Sequence, residues 1–175
     1  PDLPSLAEIE SAARLIAPVV PPTPTYAWPL LREALGCDVW LKHENHTPLG
    51  AFKVRGGVVY LDELLKAEPQ VPGVVAASTG THGQSIAWNA RRRGVRAVIV
   101  VPHGNNPEKN AAMRSLGAEL VEHGTEFQHA LEHSRELAVR EGLHPVPSFH
   151  PWLVRGVATY GMELFRNVAA QRGNA

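Results

Sequence analysis

An α/β fold built on a parallel sheet is what the sequence predicts, and three observations predict it. Between Val74 and Gly142, strand-like and helix-like segments alternate in three consecutive strand-plus-helix units, and right-handed crossovers stack such strands side by side. The 15 Gly and 15 Pro among 175 residues turn the chain often. A composition of 44% hydrophobic and 19% charged residues suits a globular core and argues against disorder and coiled coil.

The elements follow in order. Ser5-Leu6-Ala7-Glu8 has capping-box spacing, and Leu6, Ile9, Ala13 and Ile16 recur at helical intervals until Pro18, which predicts an opening helix. Pro18, Pro21, Pro22, Pro24 and Pro29 force an extended stretch. Helix resumes over Leu30 to Leu35 with Gly36 as its C-cap, and Val39 to His43 reads as a strand. A helix from Ala51 to about Lys66 places Lys53 in its first turn. Gly56 and Gly57 lie inside that helix, each costing ~1 kcal/mol against Ala, so a close neighbour, backbone or ligand, is expected there.

Val74 to Ala77 is a buried strand by its continuous apolarity, followed by a polar loop, Ser78 to His82, and a helix from Gly83 to Arg93. Ala97 to Val101 is the next strand, and Asn106 and Pro107 open a helix that stops before Gly117. Glu119 to Glu122 is a strand, Thr125 and Gln128 open a helix that Gly142 ends, and Trp152 to Phe165 reads as a last helix. Ligands bind at the carboxyl ends of parallel strands, which directs attention to Ser78–Gly83, Pro102–Pro107 and Glu122–Thr125.

A net charge of +0 provides no field for capturing a phosphate backbone, so nucleic acid is not an expected partner. The single cysteine, Cys37, excludes an internal disulfide and a thiolate zinc site, and fits a reducing compartment. No apolar run approaches the ~20 residues that span a bilayer, and the start of the chain is too polar for a signal peptide, so a cytoplasmic protein without membrane contact is expected. Numbering from Pro1 rather than Met suggests an incomplete chain.

Two segments could carry chemistry. Lys53 follows a glycine-bounded turn at a helix start, where the positive end of the helix dipole favours use of the amine as a nucleophile; position alone favours a solvated surface lysine instead. Ser78-Thr79-Gly80-Thr81-His82-Gly83-Gln84 lies between a buried strand and a helix N-terminus and offers hydroxyls and backbone N–H groups to an anion, or reads as an ordinary capped turn. His129-Ala130-Leu131-Glu132-His133 matches the H-x-x-E-H pattern of zinc peptidases, but both histidines fall on the helix face opposite the stripe Phe127, Ala130, Leu131, Ser134 and Ala138, so no metal site is expected.

The segment from Lys42 to Gly57, Lys-His-Glu-Asn-His-Thr-Pro-Leu-Gly-Ala-Phe-Lys-Val-Arg-Gly-Gly, resembles the cofactor-lysine motif of fold-type-II pyridoxal-phosphate enzymes, specifically the serine/threonine dehydratases. Ser78 to Gln84 is similar to that family's substrate-carboxylate loop at the family's spacing, and Pro107 to Leu120, Ala158-Thr159 and Glu163 continue the likeness. The resemblance implies a tryptophan-synthase-β-like fold, a parallel sheet with helices on both faces, and pyridoxal 5'-phosphate as cofactor. It further implies a Schiff base on Lys53, Phe52 packed by the cofactor, and Thr81 at the position that contacts the cofactor's ring hydroxyl. Ser78, Thr79, Gly80, Thr81, His82 and Gln84 would hold the substrate carboxylate. Lys53 would act as base while a small β-hydroxy amino acid such as threonine or serine loses water and then ammonia to give a 2-oxo acid. The alternatives on this scaffold are amino-acid racemisation, another β-eliminating ammonia loss, and a catalytically inactive binding module.

At Thr81 the family usually has asparagine, and at Ala51 serine. The resemblance divides the chain into a complete small α/β domain, 50–145, and a partial large cofactor-binding domain, 1–49 and 146–175. The family's phosphate-gripping loop and the residue facing the pyridine nitrogen would then belong to a C-terminal half that this chain needs as a partner, and homo-oligomers are expected.

Overall fold

A computed structural model describes residues 3–173; Pro1 and Ala175, on which the reading of an incomplete chain rests, lie outside the described residues. Helix α1 (Leu6–Ile16) opens on the expected capping box: the Ser5 N–H donates to Glu8 Oε2 at 2.8 Å and the Glu8 N–H to Ser5 Oγ at 3.4 Å. Strand β1 (Thr25–Ala27) pairs antiparallel with β2 (Trp40–Lys42), and α2 (Pro29–Leu35) connects them. A 3₁₀ turn, Glu44–His46, leads to α3 (Lys53–Ala67).

Then come β3 (Val74–Ala77), α4 (Thr81–Arg92), β4 (Ala97–Val101), α5 (Pro107–Ser115), β5 (Glu119–Glu122), α6 (Phe127–Glu141), β6 (His144–Pro145) and α7 (Pro151–Gly173). The last four strands form one parallel sheet in the order β5-β4-β3-β6. Because successive strand residues face opposite ways, the sheet feeds two cores. Val74, Ala76, Ala97, Ile99 and Val101 pack with Tyr60, Leu61 and Leu64 of α3, Ile86 and Ala90 of α4 and Met113 of α5. Val75, Ala77, Val98 and Val100 pack with Ala130 and Leu137 of α6.

The sequence expectations need correcting at several points, among them the last helix, which runs from Pro151 to Gly173 rather than from Trp152 to Phe165. Helix α4 starts at Thr81 rather than Gly83, so Thr81 and His82 are helical and not loop residues. Ser78 causes this: its Oγ accepts from the Gly83 N–H at 2.8 Å and the Gly80 N–H at 3.3 Å, capping the helix from outside its first turn. Helix α3 starts at Lys53 itself, because the Thr47 hydroxyl closes the preceding turn, accepting from the Ala51 N–H at 3.0 Å and donating to the Ala51 carbonyl at 2.9 Å. Thr125 does not cap α6; its N–H donates to His129 Nδ1 at 3.3 Å, and Phe127 is exposed rather than part of the inner stripe. In α1 the buried contacts come from Ala12 and Ile16, while Leu6 is exposed.

Gly56 is explained by a close backbone neighbour and Gly57 by two close side chains. A Cβ on Gly56 would stand 2.9 Å from the Leu153 carbonyl oxygen in α7, and one on Gly156 would stand 2.5 Å from the Arg55 carbonyl oxygen. Helices α3 and α7 therefore touch along their backbones. A Cβ on Gly57 would collide with Ser85 Oγ and Asn89 Nδ2 of α4. The first turn of α3 is thus held between two helices.

Candidate active site

That crossing delivers Lys53 into a cavity of about 210 Å³ lined by Phe52, Lys53, Gly56 and His82 together with Ser148, Phe149, Leu153, Val154 and Val157. Two contacts fix the lysine backbone from α4: Ser85 Oγ donates to the Lys53 carbonyl at 2.7 Å, and Asn89 Nδ2 donates to the Val54 carbonyl at 3.3 Å. The Lys53 Nζ lies 5.6 Å from the centre of the Phe52 ring, within reach of its negative face. Phe52 in turn contacts Tyr160 of α7, with ring centres 5.8 Å apart.

His82 faces the same cavity. It is 8% exposed, and its Nε2 is buried without a hydrogen-bond partner. Burial, and after it the neighbouring Lys53 charge, push the imidazole down to about 4 against an opposing backbone hydrogen bond at Val146. The ring is therefore neutral at pH 7. A buried polar atom with no partner is costly, which makes His82 a candidate ligand-binding group beside the cavity.

Of the residues singled out in the sequence, the cavity brings together Lys53, Phe52 and His82. Ser78 is buried and spends its hydroxyl on the cap of α4, while Thr79 and Thr81 are exposed at the helix start and Gly80 and Gln84 are half-buried beside them. These five sit next to the cavity without lining it. Sequence reasoning missed Ser148, Phe149, Leu153, Val154 and Val157, which come from the other end of the chain. Ala51, at the position where serine was expected, engages Thr47 through its backbone alone.

His129 and His133 do not converge on a metal: His129 Nδ1 accepts from Thr125, and His133 Nδ1 is 2.9 Å from Glu136 Oε2. Among the described residues no group of three His, Cys, Asp or Glu side chains is placed to hold a metal ion. Among those residues, too, no helix is long and apolar enough to cross a membrane.

Comparison with known proteins decides which family this geometry represents. The chain matches the family of pyridoxal-phosphate dependent enzymes over residues 16–174. The chain belongs to this family. It is 35% identical over 148 residues to the biosynthetic L-threonine dehydratase of Haemophilus influenzae, a match covering 84% of this chain and 29% of that protein. The crystal structure of a T.th. threonine deaminase superposes with a TM-score of 0.85 at 34% identity, covering 96% of this chain and 53% of that one. An aspartate racemase described as pyridoxal 5'-phosphate-dependent superposes with a TM-score of 0.89 at 29% identity, covering 95% of this chain and 53% of that one. The chain therefore spans under a third of the length of that dehydratase and about half of each solved chain.

The cavity fits the reactive end of pyridoxal 5'-phosphate. An amine, an aromatic ring beside it and an unpartnered imidazole nitrogen suit an aldehyde on a polar aromatic ring, and the rest of the wall is largely apolar. Among the described residues no cation other than Lys53 lines that cavity, so its walls provide no charged partner for the phosphate.

Proposed function

We propose that this chain forms the lysine-bearing part of a dehydratase that converts a small β-hydroxy amino acid, such as threonine or serine, into a 2-oxo acid and ammonia. The observation that carries the reading is Lys53 at the first residue of α3, delivered into a cavity it shares with the buried, unpartnered His82. Similarity to threonine dehydratases supports this choice of substrate class.

Pyridoxal 5'-phosphate, when bound, supplies an electron sink that makes the substrate's α-proton acidic. Lys53 would hold the cofactor through its amine and, once released, take up that proton at Nζ. Phe52, an exposed ring, lies beside the amine. The start of α4, with Ser78, Thr79, Gly80, Thr81, His82 and Gln84, orients the substrate carboxylate toward its free N–H groups, as the positive end of a helix does for anions. Neutral His82 can meet a polar group of substrate or cofactor without placing a second positive charge beside Lys53. Thr81, in the first turn of α4, would face the cofactor's ring hydroxyl with a hydroxyl of its own.

The reading includes two domains, 50–145 and the flanking segments 1–49 and 146–175, with the flanks completed by a C-terminal half. The apolar side chains left open on those flanks, Leu6, Leu30, Phe149 and Phe165 among them, support it. We place the protein in the cytoplasm as a homo-oligomer, a location that the exposed free thiol of Cys37 supports.

The test is product analysis. The native protein, supplied with L-threonine, L-serine or 3-hydroxyaspartate, should release ammonia and the matching 2-oxo acid in equal amounts. Inversion of the substrate without ammonia would instead favour amino-acid racemisation, a second reading supported by the superposition on an aspartate racemase. Neither reaction, with no cofactor bound, would overturn both.

A further inference from the structure

Two residues beyond Lys53 the chain buries a charge that the chemistry above does not use. Arg55 has a side chain 0% exposed, and its guanidinium is shared by two carboxylates from opposite ends of the chain. Its Nε and Nη2 donate to Glu44 Oε2 and Oε1 at 2.8 and 2.9 Å, and its Nη1 and Nη2 donate to Glu163 Oε1 and Oε2 at 2.7 and 3.0 Å. Lys42 completes the quartet, donating to Glu163 Oε2 at 2.6 Å and to the Thr23 carbonyl at 2.7 Å. Thr23 Oγ1 donates to Glu44 Oε1 at 2.6 Å, and Arg55 Nη1 donates to Thr159 Oγ1 at 3.2 Å.

Burial alone would push the Arg55 guanidinium down, but Glu44 and Glu163 outweigh it and hold it above its usual range. Burial likewise works to raise the Glu163 carboxyl, and Arg55 and Lys42 bring it below the usual range. Arg55 and Glu163 therefore meet as a charged pair.

Such a cluster is a poor way to gain stability, since an apolar cluster of the same volume is often as stable or more so. What it supplies is direction: a guanidinium fork donates to two carboxylates in one plane only. Here the fork ties together the chain on either side of the lysine. Glu44 and Arg55 bracket the segment 45–54, Thr47 closes that segment internally, and Glu163 pulls its C-terminal end onto α7, whose Leu153, Val154 and Val157 form the cavity wall. The close approach of Gly56 and Gly156 is what lets Arg55 reach across.

We infer that the quartet Lys42, Glu44, Arg55 and Glu163 is a positioning device for Lys53, holding the turn that carries the amine against the α7 wall of the cavity. The inference rests on the reading of Lys53 as the cofactor lysine.

The experiment compares the whole chain with its Glu163→Gln and Arg55→Lys variants. Each is mixed with pyridoxal 5'-phosphate, reduced with borohydride and mapped by peptide mass, and amide hydrogen exchange is followed in parallel. In the parent chain Lys53 should take most of the label, ahead of the exposed Lys66 and Lys109. In Glu163→Gln the ratio of Lys53 to Lys66 labelling should fall at least fivefold, with faster exchange confined to residues 44–57 and unchanged protection in β3 and β4. Arg55→Lys, which keeps the charge but not the fork, should fall between the two. An unchanged labelling ratio in both variants would overturn the positioning role while leaving Lys53 as the cofactor lysine. Exchange that rises across the sheet together with the lysine turn, in both variants, would make the quartet a general stability element and also overturn it. No preference for Lys53 in the parent chain would overturn the reading beneath both.

Discussion

The parallel-sheet region and the segments that flank it are built to different standards. In the sheet, β3 and β4 are buried along their whole length and both faces are covered by helices. In the flanks, β1 and β2 form an isolated antiparallel pair, no residue of α2 is buried, and Leu30 and Phe165 are 80% and 76% exposed. A groove of about 600 Å³ lined by Leu6, Ile9, Val154, Val157, Met162 and Phe165 runs between α1 and α7. The sheet is covered on both faces, sharing one of its cores with Val146 and Leu153 of the flank, whereas the flanks, beyond Ala12, Ile16 and Val20 packed on α3, also carry apolar surface of the kind that packs against something else. The lysine stands at the seam, with α3 packed on the sheet by one side and on α7 by the other.

The strongest way to break this contrast is to cut matching residues on each side of it. Ile99→Ala, at a fully buried position in β4, should cost ~3–5 kcal/mol, read as a fall in the urea midpoint, while Phe165→Ala should leave the midpoint nearly unchanged. Equal effects would mean that the flank is as well packed as the sheet.

Acid is the next test. His82 is held near 4 in the folded chain against an ordinary 6.5, so the unfolded chain binds the extra proton first as pH falls. Its contribution is complete above 6.5 and is lost between 6.5 and 4, on the order of 3 kcal/mol. Melting curves should show a shallower loss over that interval for His82→Gln than for the parent, and parallel curves would refute the assignment.

At the seam itself, Gly156→Ala should cost ~1–3 kcal/mol by forcing a methyl group into the Arg55 carbonyl, and thermal melts should show it clearly. The smallest change should come from the surface. Arg114→Ala, which removes an exposed pair with Glu122, should alter stability by less than ~0.5 kcal/mol by the same measurement.

Much of the sheet region is legible in the sequence because its signals are local. Val74 to Ala77 and Ala97 to Val101 are unbroken apolar runs, and Asn106 with Pro107 marks a helix start that the structure caps with the Asn106 side chain at 3.0 Å from the Lys109 N–H. Strands β1 and β6 are not legible, being three and two residues long and defined only by partners such as Lys42 for Thr25 and Val74 for His144. The start of α4 lies earlier than its sequence suggests because Ser78 caps it from five residues before the amide it binds most closely, Gly83.

The candidate site divides in the same way. Lys53 and the loop before α4 are contiguous motifs and can be read directly. The α7 wall and the Arg55–Glu163 contact join residues about a hundred positions apart, and a single sequence carries no periodicity that pairs them. Gly56 and Gly57 are the exception, since two helix-weakening residues in a row signal a close neighbour without saying which one.

Lys53 is the centre of this account, and peptide mapping tests it most directly. After incubation of the native protein with pyridoxal 5'-phosphate, borohydride reduction and trypsin, the account predicts one dominant labelled peptide, His43 to Arg55, uncut at a modified Lys53. Label spread over the exposed lysines, with Lys53 free and cleaved, would contradict it.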